Sequence, residues 1–150
     1  HNIVIGGLAG ALPALIGWVA ASPTPALMPW IMVAIVFFWT PPHFWALALY
    51  RNGDYAKANV PMLPVTHGIA STKRHILAYS FLLVAFSLSP CLVGAGILYA
   101  VGASLLGINF LRHAIRVWRS EEPAIAMRMF GYSIVYLFLL FACLVTDHLM

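Results

Sequence analysis

The sequence predicts an all-α protein, a polytopic bundle of transmembrane helices. Of its 150 residues, 63% are hydrophobic and only 8% are charged, whereas a soluble domain carries about 25% charged residues. This chain therefore has too few polar side chains to cover a water-facing surface. Its apolar residues also form runs long enough to cross the ~30 Å hydrocarbon core of a bilayer as helices. The solvent around most of the chain is expected to be lipid.

The first apolar run, residues 3–21, predicts the first crossing. Gly6 and Gly10 form a GxxxG pattern, which allows another helix to approach closely. A phosphate-binding glycine loop is the alternative, but no strand precedes these glycines and no lysine follows them. Helix packing is therefore the favoured interpretation.

The second run, residues 30–50, contains Pro41 and Pro42 at its middle. Each proline removes a backbone donor and so frees a carbonyl one turn earlier in the helix. Broken transmembrane helices occur where protein or a water-filled cavity provides partners for such carbonyls. This part of the second helix is therefore expected to be broken and to face an interior.

The remaining runs predict three further crossings. Residues 76–111 contain no Lys, Arg, His, Asp or Glu, and a straight helix of that length would reach ~54 Å, so the chain must reverse near residues 87–90. The predicted helices are residues 3–21, 30–50, 76–89, 91–111 and 129–146, joined on one side by cytoplasmic loops 51–75 and 112–128.

The basic residues agree with this topology. All eight Lys and Arg residues fall in the two loops that five crossings place on the same side, and the positive-inside rule makes that side cytoplasmic. The net charge of +4 therefore requires no nucleic-acid partner.

The compact loops favour a bacterial cell inner membrane over a mitochondrial inner membrane. Because the sequence starts at His1 with an apolar run, we expect the N-terminal part of the protein to be missing.

The most unusual stretch runs from the second helix into the polar loop that follows it. If the helix continues one turn past Tyr50, five residues recur at spacings of four, four, three and four on one face: Trp39, His43, Leu47, Tyr50 and Asp54. At helical rise, His43 lies ~10 Å below Tyr50 and ~16 Å below Asp54. Such a stripe suits a substrate with an anionic head and a long apolar tail.

Asp54 is the only acid near Arg51, Lys57, Lys73 and Arg74. Mg²⁺ commonly binds through one or two carboxylates together with substrate phosphates, and Arg51 and Lys57 would then bind the remaining phosphate charge. The alternative is that Asp54 caps a short helix in the loop and the basic residues only set topology. A single aspartate is a poor Mg²⁺ site, so the residues alone favour the alternative.

His43 and its aromatic neighbours also have two interpretations. An ionisable residue within a membrane helix usually serves a cavity, a partner or a ligand, but His43 could instead satisfy the carbonyls freed by Pro41 and Pro42. The rings of Trp39, Phe44 and Trp45 could stabilise a carbocation through their faces, although core packing is the more frequent use of such residues.

The stretch WTPPHFWALALYRNGDYAKANVPMLPV, residues 39–65, resembles the signature of the protohaem IX farnesyltransferase (haem O synthase) family, within the UbiA-type intramembrane prenyltransferases. The segments HNIVIGGLAGALPALIGW and FGYSIVYLFLLFA are similar to the same family. The resemblance covers essentially the whole chain. It implies a nine-helix bundle around one lateral cavity, of which this chain would supply helices five to nine.

The resemblance also implies roles for the polar residues. Such enzymes use two acidic motifs to hold Mg²⁺ and a prenyl diphosphate, and the second would fall here on residues 50–54. Relatives that act on quinone precursors carry two aspartates four apart, whereas here Tyr50 takes the first place and only Asp54 remains, as expected for the haem branch. Asn59 replaces a usual glycine, and asparagine tolerates left-handed backbone better than most residues.

The implied reaction is metal-assisted ionisation of farnesyl diphosphate and capture of the farnesyl cation by a vinyl group of haem B. Arg51 and Lys57 would neutralise the leaving diphosphate, Tyr50 would orient it, and His43 would contact haem or its propionates. Because the first acidic motif is absent here, we expect this chain to be inactive without the missing N-terminal helices. The alternatives are prenyl transfer to an aromatic quinone precursor, a transporter fragment and a haem-binding membrane protein.

Overall fold

The computed structural model describes residues 2–150 except 23 and 25, and these residues fold into helices without a strand. In chain order the elements are α1 (Asn2–Ala21), α2 (Met28–Tyr50), α3 (Asn52–Lys57), α4 (Leu63–His67), α5 (Ile69–Leu88), the 3₁₀ segment Ser89–Val93, α6 (Ile97–Arg119) and α7 (Pro123–Leu149). Five of the described helices are long and apolar enough to cross a membrane. The all-α fold class and the predicted five crossings are confirmed.

Four of these helices form a ring in which α2 packs against α5, α5 against α6, α6 against α7, and α7 against α2. The centre of the ring is filled by fully buried side chains, the largest being those of Tyr99, Tyr136, Phe110 and Ile35. Helix α1 lies outside the ring, where it packs on α2, and most of its large apolar side chains are exposed. This arrangement leaves the chain with an outer helix and a groove beside it.

The ends of the helices differ from those predicted at the basic loops. Helix α5 begins at Ile69 instead of residue 76, α6 continues to Arg119, and α7 already begins at Pro123. The predicted loops 51–75 and 112–128 are therefore wrong in these parts. A charged residue does not mark the end of a helix here, because the long side chains of Lys and Arg reach water while their backbone stays helical. Pro123 is a natural first residue for α7, because its fixed φ suits that position.

The reversal between α5 and α6 occurs near the predicted place but takes longer. The 3₁₀ segment Ser89–Val93 is followed by Gly94 in the left-handed conformation (φ 105°), and α6 begins at Ile97. The carboxylate of Asp147, near the end of α7, accepts hydrogen bonds from the backbone N–H groups of Gly96 and Tyr99. An acid from another helix thus caps the amino end of α6, where the helix dipole favours negative charge.

Helix α2 runs through Pro41 and Pro42 without interruption, so the predicted break is wrong. Both prolines are fully buried, which confirms that this part of the helix faces an interior. The hydroxyl of Thr40 donates to the Val36 carbonyl at 2.8 Å, one turn earlier on the same helix. Packing on several sides holds the helix together where the prolines have removed donors.

Helix α1 contacts α2 through Gly7, which follows the first glycine of the predicted GxxxG pattern. A Cβ atom placed on Gly6 or Gly10 would have no atom within 4 Å, whereas one placed on Gly7 would lie 3.2 Å from Thr40. Gly7 and Ala11 are buried at a spacing of four. The close approach to α2 therefore runs through Gly7, and the prediction for Gly6 and Gly10 is wrong for the described part of the chain.

Gly107 provides a test of how closely the ring is packed. A Cβ atom at this position would lie 2.8 Å from Cγ1 of Val84, and the β-branched side chain of Val84 cannot easily rotate away. We expect Gly107→Ala to lower the free energy of unfolding by about 1–3 kcal/mol, measured by titration with a denaturing detergent. Gly131→Ala is the matched control, because a Cβ atom there meets nothing within 4 Å. Equal stability of both variants would contradict the close α5–α6 contact.

Candidate active site

A largely apolar groove lies beside α2, between α1 and α7. Its first part, between α1 and α2, has a volume of about 440 Å³ and its second part, along α7, about 600 Å³. Trp39 lines both parts and so joins them into one surface, called here the α1–α7 groove. Its other walls are Ile3, Gly6, Gly7, Gly10, Val36, Thr40, Phe44 and Met62 in the first part, and Ile134, Leu137, Phe138, Phe141, Ala142, Val145 and Thr146 in the second.

Trp39 and His43 are held against α7 by Ser133. The indole Nε1–H of Trp39 donates to the Ser133 carbonyl at 2.8 Å, and Nδ1 of His43 lies 2.6 Å from Ser133 Oγ. Because the Ser133 hydroxyl already donates to the Phe130 carbonyl, its oxygen accepts a hydrogen bond from Nδ1–H of His43. This network assigns the neutral ring a proton on Nδ1 and a lone pair on Nε2.

The His43 ring is also stacked between two aromatic rings. Its centroid lies 4.2 Å from that of Trp39 and 4.5 Å from that of Phe130, with interplanar angles of 20° and 23°. The residue is 7% exposed. His43 therefore bonds to α7 and does not satisfy the carbonyls freed by the prolines, which was its alternative role.

Phe44 and Trp45 point in different directions, because successive residues of a helix are about 100° apart. Phe44 is 42% exposed in the α1–α7 groove and meets the His43 ring edge-on at 5.1 Å. Trp45 is 4% exposed and packs edge-on against Tyr79 of α5 at 5.3 Å. The structure thus brings Trp39, His43 and Phe44 together and places Trp45 in the core, where packing explains it.

The charged end of the predicted stripe lies on a separate helix. Helix α2 ends at Tyr50, the backbone turns at Arg51 (φ −100°, ψ 24°), and Asp54 lies in the first turn of α3. The predicted continuation of α2 past Tyr50 is therefore wrong. Asn52 and Gly53 follow the turn, and both have low helix propensity. The acid lies in the first turn of the short helix α3, where the helix dipole favours negative charge, so the capping alternative stays open beside the metal-binding one.

Four exposed polar residues follow one another at the end of α2 and along α3, and they are called here the polar mouth: Tyr50, Arg51, Asp54 and Lys57. Tyr50 lies six residues beyond Phe44, ~9 Å further along the axis of α2. In the part of the chain that the structure describes, the one salt bridge is Lys73–Glu121, so Asp54 has no ion-pair partner there. The two cations of the mouth are thus available to an anionic ligand, and the carboxylate is available to a metal ion bound to that ligand.

The mouth fits a metal only together with its substrate. No group of three or more His, Cys, Asp or Glu residues that could hold a metal occurs among the described residues. A single carboxylate is enough for Mg²⁺ when phosphate oxygens supply further ligands. Asp54 therefore fits a Mg²⁺–diphosphate complex and does not fit a metal held by this chain alone.

The loop after α3 returns to the groove. Asn59 adopts the left-handed conformation (φ 52°), which asparagine tolerates better than most residues, and the Val60 N–H donates to the Tyr55 carbonyl at 3.0 Å. Three residues further on, Met62 lines the α1–α7 groove. The polar loop therefore connects the mouth to the apolar surface.

Two polar residues that connect different helices, Ser133 and Asp147, were not predicted. Ser133 is 90 positions from His43 in the sequence, and Asp147 caps a helix that begins 50 residues before it. Each is a polar residue in an apolar run, which signals a role, but no periodicity links residues on different helices. Only the fold identifies their partners.

Comparison with known proteins gives a consistent result. The family model described as the UbiA prenyltransferase family matches residues 1–145. The protoheme IX farnesyltransferase of Thioalkalivibrio sulfidiphilus is 54% identical over 99% of this chain and 49% of its own length. The proteins of the same name from Alcanivorax borkumensis and Ralstonia nicotianae are 52% and 53% identical, again over 99% of this chain. No solved structure matches the chain. The chain spans about half the length of the curated relatives it matches.

Proposed function

The chain belongs to the UbiA prenyltransferase family, and from this premise we propose that it forms part of a protohaem IX farnesyltransferase. The complete enzyme would convert haem B to haem O by transfer of a farnesyl group from farnesyl diphosphate to a haem vinyl group. The observation that carries this proposal is the identity of 52–54% to relatives of that name over 99% of the chain. The multi-pass fold agrees with a reaction between two amphiphilic substrates in a membrane.

The geometry suits farnesyl diphosphate. The α1–α7 groove offers an apolar surface for the farnesyl chain, and the polar mouth offers Arg51 and Lys57 for the diphosphate. From Trp39 to Tyr50 the helix advances ~16 Å. One substrate with an anionic head and a long tail can therefore contact both surfaces at once.

The residues of the mouth would act on the leaving group. When bound, Mg²⁺ neutralises charge on the diphosphate, and Asp54 is the carboxylate that would hold it. Arg51 and Lys57 stabilise the charge that grows as the C–O bond of farnesyl diphosphate breaks and its electron pair passes to the diphosphate. Tyr50 orients a phosphate oxygen.

The groove would protect the cation that remains. Trp39 and Phe44 present aromatic rings to the allylic cation, and the apolar lining excludes water until the vinyl group has attacked. The new C–C bond moves the positive charge to the haem side chain. Water then adds there and loses a proton, which leaves a hydroxyethylfarnesyl group. His43, stacked on Trp39, would have a positioning role by holding that ring in the wall of the groove, and its predicted contact with haem is the alternative role.

The rest of the enzyme would complete the groove. We propose a nine-helix bundle in which α1, α2, α5, α6 and α7 are helices five to nine, placed in a cell inner membrane with the basic loops in the cytoplasm. The other half would supply the first acidic motif and a facing wall.

Two alternative functions have less support. Tyr50 stands in the place of a first aspartate, which favours haem over a quinone precursor as the acceptor. The argument for a transporter was a broken second helix, and α2 is unbroken.

An assay with both substrates tests this proposal. Membranes containing the complete enzyme, given haem B, farnesyl diphosphate and Mg²⁺, are expected to form haem O, identified by its mass, and a chelator should prevent this. Membranes with this chain alone should form none, because the metal site and the groove are then incomplete. Transfer to a hydroxybenzoate by the complete enzyme, without haem O, would contradict the proposed acceptor. Haem O formation by this chain alone would contradict the need for the other half.

A further inference from the structure

A small polar pocket lies between α5 and α6, across the ring of helices from the apolar α1–α7 groove. It has a volume of about 330 Å³ and is lined by Ile69, Ala70, Lys73, Arg74, Trp118 and Glu121. It is near the same end of the bundle as the polar mouth, because the first turns of α5 and the last turn of α6 form it. The proposed farnesyl transfer assigns nothing to this pocket.

Lys73 is the buried cation of the pocket. Its residue is 7% exposed, and Nζ donates to the Ser120 carbonyl at 2.6 Å and to Glu121 Oε1 at 2.9 Å. An ammonium group has three protons, so a third remains for a ligand. Only the Lys73 half of this ion pair is buried: the Glu121 side chain is 89% exposed, so water can solvate the carboxylate when another anion takes its place beside Lys73. An anion entering the pocket can therefore replace the carboxylate at low cost.

Arg74 and the start of α5 add positive charge. Arg74 is exposed and forms no ion pair in the described part of the chain. Helix α5 begins with Ile69 and Ala70, without a side-chain cap and without an acid in its first turn. The first turn of a helix carries partial positive charge. The lining of the pocket thus contains two cations, Lys73 and Arg74, against one carboxylate, Glu121.

Trp118 places the pocket at the surface of the bilayer. Its side chain is 48% exposed near the end of a membrane-spanning helix, and tryptophan concentrates at the level of the lipid headgroups. Basic pockets between transmembrane helices bind anionic lipid headgroups. We propose that this pocket binds the headgroup of an anionic phospholipid, with its phosphate between Lys73 and Arg74. This inference does not depend on the proposed farnesyl transfer.

Quenching of Trp118 fluorescence tests the proposal. The complete enzyme is reconstituted in phosphatidylcholine vesicles that contain equal fractions of brominated phosphatidylglycerol or brominated phosphatidylcholine, and the Trp118→Phe variant gives the background from the other tryptophans. Stronger quenching by the brominated phosphatidylglycerol is expected. Arg74→Gln should lower this preference about fivefold, as expected for one cation near a charged headgroup, and Glu121→Gln should raise it.

Arg128→Gln is the matched control, because Arg128 is an exposed arginine in the early turns of α7 and does not line the pocket. It should keep the preference. Equal quenching by the two brominated lipids, or an equal loss in both arginine variants, would overturn the proposal, since a general surface charge would then explain the result. Loss of the preference in millimolar inorganic phosphate would also overturn it, by showing a site for soluble anions.

Discussion

Asp54→Ala in the complete enzyme is expected to lower the rate of haem O formation by about 10²–10³-fold, the usual cost of removing a group that stabilises transition-state charge. Asp54 is the one acid of the polar mouth, and it is exposed and has no ion-pair partner among the described residues. A carboxylate that no structural contact occupies is free to hold Mg²⁺ against the substrate diphosphate. The rate is measured from the mass-resolved product at saturating haem B.

The change should leave the fold intact, because the Asp54 side chain is exposed and has no ion-pair partner among the described residues. Thermal unfolding of the variant is therefore expected to match that of the unaltered enzyme. Glu122→Ala is the matched control: Glu122 is also an exposed acid, but it lies in the turn between α6 and α7. A normal rate in Asp54→Ala, or an equal loss in Glu122→Ala, would remove Asp54 from the proposed mechanism.

The number of membrane-spanning helices could be predicted because lipid requires long apolar runs, and the described part of the chain has five. The ends of α5, α6 and α7 could not, since charge marks where side chains reach water and not where the backbone stops being helical. Arg112 and Arg116 both lie on α6, within the predicted loop. The charge of a residue therefore indicates whether its side chain reaches water. It does not indicate whether its backbone is helical.

In the candidate site, too, some features could be predicted from the sequence and others could not. Trp39, His43 and Tyr50 could be placed on one face of α2 because helical periodicity acts within a single element. Asp54 could not be placed with them, because a turn at Arg51 separates the two helices. The sandwich of His43 between Trp39 and Phe130 depends on how α2 meets α7, and that contact is a property of the fold.

His43→Ala is expected to lower the free energy of unfolding by about 3 kcal/mol, as for loss of a buried aromatic ring. The variant would leave a space between Trp39 and Phe130 and remove the hydrogen bond to Ser133 Oγ. Trp39 would lose its stacking partner in the wall of the groove. The rate of haem O formation should therefore fall together with stability, which is measured by titration with a denaturing detergent.

Two further variants separate packing from chemistry at this position. His43→Phe keeps a ring between Trp39 and Phe130, so most of the stability and activity should return. Ser133→Ala removes the bond to Nδ1 and the local bond to the Phe130 carbonyl. It keeps the bond from Trp39, which donates to the backbone carbonyl of Ser133, and about 1 kcal/mol should be lost. A His43→Phe enzyme that folds normally but forms no haem O would contradict a positioning role, because the imidazole nitrogen would then act on the substrate itself.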